Sequence, residues 1–286
     1  MRMMFCIKIL LRLVLLATLA MAASQPAGAA GPAIPNYWDE NESLAKPDLS
    51  GIARLRFLTT VDFPPFNFLD EDGRLTGFHV ELARALCREL DIVARCQIQA
   101  LPWDELDTAI AAGQGEALIA GTAINAQSRD HYAFSRPYLQ FPARFMVPKS
   151  SGISQPMHVA ITNQRIGVLH GSAHETMLRR YFPAARPVTY SRAEWLYEDL
   201  RDGKLYGAFG DGMQFSFWLA GSGSQVCCRF ADGPYLAPEF LGQGLAIAVL
   251  KDNALLTQAF DQVLREIAIK GIFAELYLKY FPISFY

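Results

Sequence analysis

Apolar and polar positions along the chain change period several times, and each change predicts an element. Residues 54–61 alternate, with Leu55 and Phe57 on one side and Arg54 and Arg56 on the other, which predicts a strand. Residues 63–68 are an aromatic loop and 70–74 a turn. Phe78, Leu82, Ala85, Leu86 and Leu90 recur at helical spacing, predicting an amphipathic helix over 77–90. A strand over 93–100, a helix over 103–112 stopped by Gly113, and a short buried strand over 117–121 follow. Strand, helix, strand, helix, strand implies a parallel sheet with helices on its faces. The pattern then repeats: strand 165–169, turn 170–172, helix 173–181, strand 188–190, helix 193–202, strand 206–209. One more strand is expected over 244–250, and 254–280 reads as two helices broken at Gly271. The fold class is therefore α/β, in two units. Ligands of open α/β sheets bind beyond the carboxyl ends of the strands, and two such edges facing each other make a cleft that a hinge can close.

The N-terminus changes the picture of where this fold works. Arg2, Lys8 and Arg12 flank a short apolar run, and small residues follow at Ala20-Met21-Ala22. This is the layout of an export signal over 1–23, too short to span a bilayer comfortably. An uncleaved anchor is the alternative. Residues 24–51 are rich in Ala, Pro, Asn, Asp and Ser and read as an extended leader, with order expected from Leu55. With 286 residues, 51% hydrophobic and a formal charge of -2, the chain can fill two modest cores and offers no basic stripe to nucleic acid. Cleavage leaves Cys87, Cys96, Cys227 and Cys228 in an oxidising compartment. Cys87 with Cys96 closes a short loop and is the preferred bridge. Cys227 and Cys228 are neighbours, either bonded in a tight ring or left as thiols.

Candidate chemistry lies just past the strand ends. Phe63 could stack on a ligand or fill the core, and Trp103 could form a second wall or pack the helix start. Arg129, past the third strand, could grip a carboxylate through two parallel hydrogen bonds or be solvated. Asp211, ending a strand of the second unit, could pair with an ammonium group or cap the next helix. A positive group on one unit and a negative group on the other suit a zwitterion, whose capture would close the cleft. His170 and His174 are four apart, but no further ligand stands at metal spacing, and no Ser-His-Asp order, nucleotide loop or zinc signature appears. No metal or cofactor is expected.

The chain resembles the family 3 extracellular solute-binding proteins, the polar amino-acid receptors of ABC importers. The resemblance is carried by Phe63-Pro64-Pro65-Phe66-Asn67-Phe68, Asp72-Gly73-Arg74-Leu75-Thr76-Gly77-Phe78 and Phe134-Ser135-Arg136-Pro137-Tyr138. It continues in Ile166-Gly167-Val168-Leu169-His170-Gly171-Ser172, Tyr206-Gly207-Ala208-Phe209-Gly210-Asp211, Gly244-Leu245-Ala246-Ile247-Ala248 and the tail from Lys270 to Phe281. It implies a type II periplasmic-binding-protein fold: lobe 1 as 52–139 plus 240–286, lobe 2 as 143–232, joined by hinge strands at 140–142 and 233–239. It also implies roles. Phe63 and Trp103 match positions that sandwich the ligand. Arg129 matches the arginine for the α-carboxylate, Asp211 the aspartate for the α-ammonium. Gly121 and Thr122 match ligand-facing positions, and Ser172 with Ala173 the helix N-terminus that meets the carboxylate.

Departures accompany the match. Ala123 replaces a common hydroxyl ligand, Arg129 is displaced by one residue, and Thr60 stands where receptors for amide or basic side chains often carry aspartate. His79 replaces an aspartate common at the helix start. The leading expectation is a periplasmic, monomeric receptor that captures an amino-acid-like small molecule by hinge closure and delivers it to the membrane permease of an ABC importer. One alternative is an envelope or oxidoreductase-accessory protein that kept the fold but binds another protein. Another is a dehydratase on the same fold, with His170 as its acid or base.

Overall fold

The computed structural model describes residues 32–286 apart from 40, 46 and 154; the expected export signal and the first part of the leader lie outside the described residues. The strand Leu55–Thr59 shows why the alternation predicted over 54–61 is incomplete. Leu55 and Phe57 face one cluster, which includes Phe78 and Leu82 of the helix Phe78–Glu89. Leu58 faces a second, formed with Leu106, Ala109 and Ile110. A central parallel strand is covered on both faces, so both sets of positions are apolar. The first sheet runs in the order Cys96–Ala100, Leu55–Thr59, Ala117–Leu118, Ala248–Leu250, Tyr132–Phe134. Its first two pairings are parallel and the last two antiparallel.

Several predicted elements are shorter than expected, among them the strand expected over 117–121, of which only Ala117–Leu118 is strand. Over 93–100 the chain first makes a 3-10 turn, Val93–Arg95, and only then the strand. Arg95 is held there by a hydrogen bond of 2.6 Å to the Ile52 carbonyl. Over 103–112 a 3-10 turn, Trp103–Glu105, precedes the helix Leu106–Ala111. Over 244–250 only Ala248–Leu250 is strand. The residues before it bend back on the connection to the second lobe: Leu245 N–H donates to the Leu139 carbonyl at 2.7 Å, and Gly244 lies at φ +94°, where a Cβ would stand 2.5 Å from that same oxygen.

The second lobe has the sheet order Arg186–Tyr190, Arg165–Leu169, Gly207–Asp211, Ala143–Pro148, Cys228–Tyr235. Its first three strands are parallel and agree with the sequence pattern, the last two antiparallel. The helices Ala173–Tyr181, Ala193–Arg201 and Gly212–Ala220 pack alongside. The two connections between lobes run side by side, with Leu139 bridged to Leu245 and Ala143 paired with Tyr235.

Cys87 is bonded to Cys96, tying the helix Phe78–Glu89 to the strand beside it, and Cys227 is bonded to Cys228. The described residues before Leu55 form no regular element, but they are anchored earlier than expected. Trp38 and Leu49 enter the first lobe's core, and Arg136 holds Glu42 through two hydrogen bonds of 2.6 Å while its guanidinium lies over the Trp38 ring.

Candidate functional site

The first lobe's contribution forms where its strands end. Phe63 lies in the two-residue strand Asp62–Phe63 that follows Leu55–Thr59, and stacks on Phe66 with ring centroids 4.7 Å apart. It is half-buried. Gly121, at φ +86°, lies under it; a Cβ there would stand 3.0 Å from Phe63 Cε1. Trp103 is 54% exposed at the start of its 3-10 turn. Thr60, Asp62, Phe63, Trp103, Ala120 and Gly121 line one cavity of about 260 Å³. A neighbouring cavity of about 320 Å³ brings Trp103 together with Thr122, Ala123, Asn125 and Ser128.

Arg129 is placed otherwise. It is exposed on the turn Ser128–His131, donates to Gln243 Oε1 at 3.1 Å and lies over the Phe134 ring at 5.7 Å. The loop before it is closed on itself: Asn125 N–H donates to Ser128 Oγ at 3.1 Å, and Ser128 N–H to Asn125 Oδ1 at 2.9 Å.

A chain of buried polar groups runs beneath this half-site. Asn67 Nδ2 donates to Thr60 Oγ1 at 2.7 Å, Asn67 Oδ1 meets His79 Nδ1 at 2.8 Å, and His79 Nε2 meets the Tyr138 hydroxyl at 2.9 Å. Thr60, Asn67, His79 and Tyr138 are all buried. Burial alone pushes the His79 imidazole down to about 3, so it is neutral at physiological pH.

The second lobe contributes two helix starts. Ser172 caps the helix Ala173–Tyr181, its Oγ accepting from Glu175 N–H at 3.1 Å and donating to the Leu169 carbonyl at 2.7 Å. Glu175 reaches back to Gly171 N–H at 2.8 Å, so each end of the turn satisfies the other. Ala173 is exposed beside it. Asp211 caps the helix Gly212–Ala220, accepting from Gln214 N–H at 3.0 Å, and also lines a cavity of about 160 Å³ with Leu169, Ser172, His174, Tyr197 and Phe209. Capping and facing the cavity are therefore not alternatives for this carboxylate.

His174 is the residue in this half-site that sequence reasoning passed over, having paired it with His170. Burial lowers the affinity of His174 for a proton and the Asp211 carboxylate opposes that shift, with burial prevailing. Burial and then the same carboxylate push Tyr197 up to about 12. His170 is held apart on the exposed turn, 3.5 Å from Glu175.

Each of these cavities is lined by one lobe alone. Phe63, Trp103, Gly121 and Thr122 gather on the first; Ser172 and Asp211 gather on the second; Arg129 and Asp211 bond to different partners and are not brought together. Two half-sites at sheet edges, with paired connections between the lobes, are the layout of a hinged receptor. The bacterial extracellular solute-binding proteins, family 3, match residues 55–283.

The chain belongs to that family. The lysine/arginine/ornithine-binding periplasmic protein of Escherichia coli K12 is 26% identical over 234 residues, which cover 81% of this chain and 89% of that protein. Among solved structures, the unliganded, open L-cystine solute receptor of Neisseria gonorrhoeae has a TM-score of 0.68 at 18% identity, over 81% of this chain and 94% of that one. An ancestral cyclohexadienyl dehydratase has a TM-score of 0.67 at 20% identity, over 83% and 98% of the two chains. These two structures share the fold of this family 3 chain.

Proposed function

We propose that this family 3 protein is a monomeric periplasmic receptor that captures a free amino acid between its lobes and presents it to the permease of an ABC importer. The observation that carries the reading is the division of the site. An aromatic and glycine-lined half-site ends the first sheet, and a half-site with a carboxylate and a capped helix start ends the second. A ligand touching both favours the closed arrangement by its differential contacts, which makes capture and closure one equilibrium. Phe63 and Trp103 are the walls, Gly121 and Thr122 the edge of the first half-site, Ser172 and Ala173 the helix start that meets the carboxylate, and Asp211 the partner of the ammonium. Arg129 serves the carboxylate once it exchanges Gln243 for ligand. Among the described residues no helix is long and apolar enough to cross a membrane, which suits export into the periplasm.

Calorimetry against a panel of free amino acids, with scattering measurements of the radius of gyration, tests the reading. Binding accompanied by compaction is expected; a chain that binds no member of the panel would remove it. An enzymatic reading has one supporting observation, the placement of titratable His174 in the cavity that Asp211 lines. Turnover of a cyclic amino-acid precursor, lost in His174→Gln, would establish it in place of the receptor.

A further inference from the structure

The buried polar chain under the first half-site has two ways to orient its protons, and they end differently. In one, Thr60 donates to Asn67, Asn67 to His79 Nδ1, and His79 Nε2–H to Tyr138. The Tyr138 proton then has no acceptor among the described residues, because the hydroxyl's hydrogen-bond partner is the ring nitrogen that is donating to it. Tyr138 is 1% exposed, so that proton would be stranded away from water. In the other, Tyr138 donates to His79 Nε2, His79 Nδ1–H donates to Asn67 Oδ1, and Asn67 Nδ2 donates to Thr60 Oγ1. Every buried link is then satisfied, and the unspent proton belongs to Thr60, which lines the cavity beside Phe63 and Trp103. The second orientation wins because its loose end lies where a ligand or water can accept it.

We infer that Tyr138, His79 and Asn67 act as positioning residues that make Thr60 a hydrogen-bond donor to the ligand side chain, and that the half-site selects a neutral carboxamide. Thr60 offers the carboxamide oxygen a donor. Asp62, exposed on the same cavity, offers its NH2 group an acceptor. A carboxamide satisfies both. A guanidinium or ammonium brings no acceptor and leaves the Thr60 proton to water, a carboxylate is repelled by Asp62, and an apolar side chain answers neither group. His79 cannot lend a positive charge to the floor of the site, since burial keeps it neutral.

The inference rests on the receptor reading and is tested on the whole protein. Calorimetry compares L-glutamine with its apolar isostere 2-amino-5-methylhexanoate, L-asparagine with L-leucine, and each with L-arginine. One carboxamide is expected to bind at least about tenfold more tightly than its isostere and than arginine. Thr60→Val should shrink the carboxamide-to-isostere ratio by about tenfold. Tyr138→Phe keeps the packing but frees the chain to reverse, so the same ratio should fall while isostere binding holds. Nitrogen-15 NMR of the unliganded protein should show His79 protonated at Nδ1 and bare at Nε2. Tighter binding of arginine, an unchanged ratio in Thr60→Val, or an Nε2–H tautomer each overturns the inference alone. Binding of no amino acid at all overturns the receptor reading with it.

Discussion

Gly121 and Phe63 touch across the end of the first sheet: the ring edge of Phe63 comes within 3.0 Å of where a Cβ of residue 121 would be. Position 121 also has φ +86°, a region that side chains strain to adopt. Gly121→Ala is therefore expected to cost about 1 kcal/mol of stability and to tilt Phe63 away from its stack on Phe66. Urea unfolding gives the first quantity, and ligand affinity, expected to fall, gives the second. An alanine variant with unchanged midpoint and affinity would contradict the close approach.

Asp211 has two tasks, and one substitution separates them. Asparagine caps helices as well as aspartate does, so Asp211→Asn should leave stability within about 0.5 kcal/mol. The lost charge should weaken binding of any α-amino ligand by at least about tenfold. Asp211→Ala should lose binding and also about 1 kcal/mol of stability. Thermal unfolding and calorimetry on both variants distinguish cap from ligand partner.

Arg129 makes a different test, because its hydrogen bond in this structure goes to Gln243. Arg129→Ala should leave stability within about 0.5 kcal/mol, as for other exposed positions, yet abolish measurable binding of α-carboxylate ligands. Retained affinity would mean that the carboxylate is held by the second lobe's helix start alone.

The buried His79 sets a pH dependence whose sign is fixed. Its folded pKa is about 3, below the unfolded value of 6.5. Between those values the unfolded chain binds a proton that the folded chain refuses. Stability is therefore full above about pH 6.5 and falls as the pH drops, by about 1.4 kcal/mol per unit until the folded pKa is reached. The shift of His174, also downward, adds to the loss in the same direction. From pH 7 to pH 5 the protein should lose about 2 kcal/mol to His79, and His79→Gln should flatten that slope. Urea midpoints across pH 5–7 measure it.

Trp38 reports whether the segment before the first strand belongs to the lobe. It is 8% exposed and lies under the Arg136 guanidinium. Trp38→Ala should cost about 3 kcal/mol, read from the urea midpoint.

Much of this was legible in the chain. Phe63, Trp103 and Gly121 follow strand ends, and strand ends are visible in the hydrophobic pattern, so their meeting was accessible. The strand Ala143–Pro148 was not, because five of its six residues are buried and show no alternation. Nor was Cys228–Tyr235, whose register shifts between Ala231 and Tyr235. Arg129 is exposed and bonded to Gln243, on a turn entered through reciprocal bonds between Asn125 and Ser128 that composition does not reveal. His174 was hidden by a false partnership: Ser172 starts the helix between it and His170, so the two do not share a helical face. The Tyr138–His79–Asn67–Thr60 chain joins three neighbouring groups to Tyr138, which lies 59 residues beyond His79, and only the folded packing puts them in line.

Tyr37 and Tyr286 meet at Gln140, where the chain leaves the first lobe. Their hydroxyls bond to each other, and both accept from the Gln140 N–H, at 3.2 and 3.0 Å. Tyr286 also donates back to the Gln140 carbonyl. The connection is thus clasped at its root, so that in the closure proposed above torsion would fall on the bonds beyond that clasp, on a few residues rather than along the whole connection.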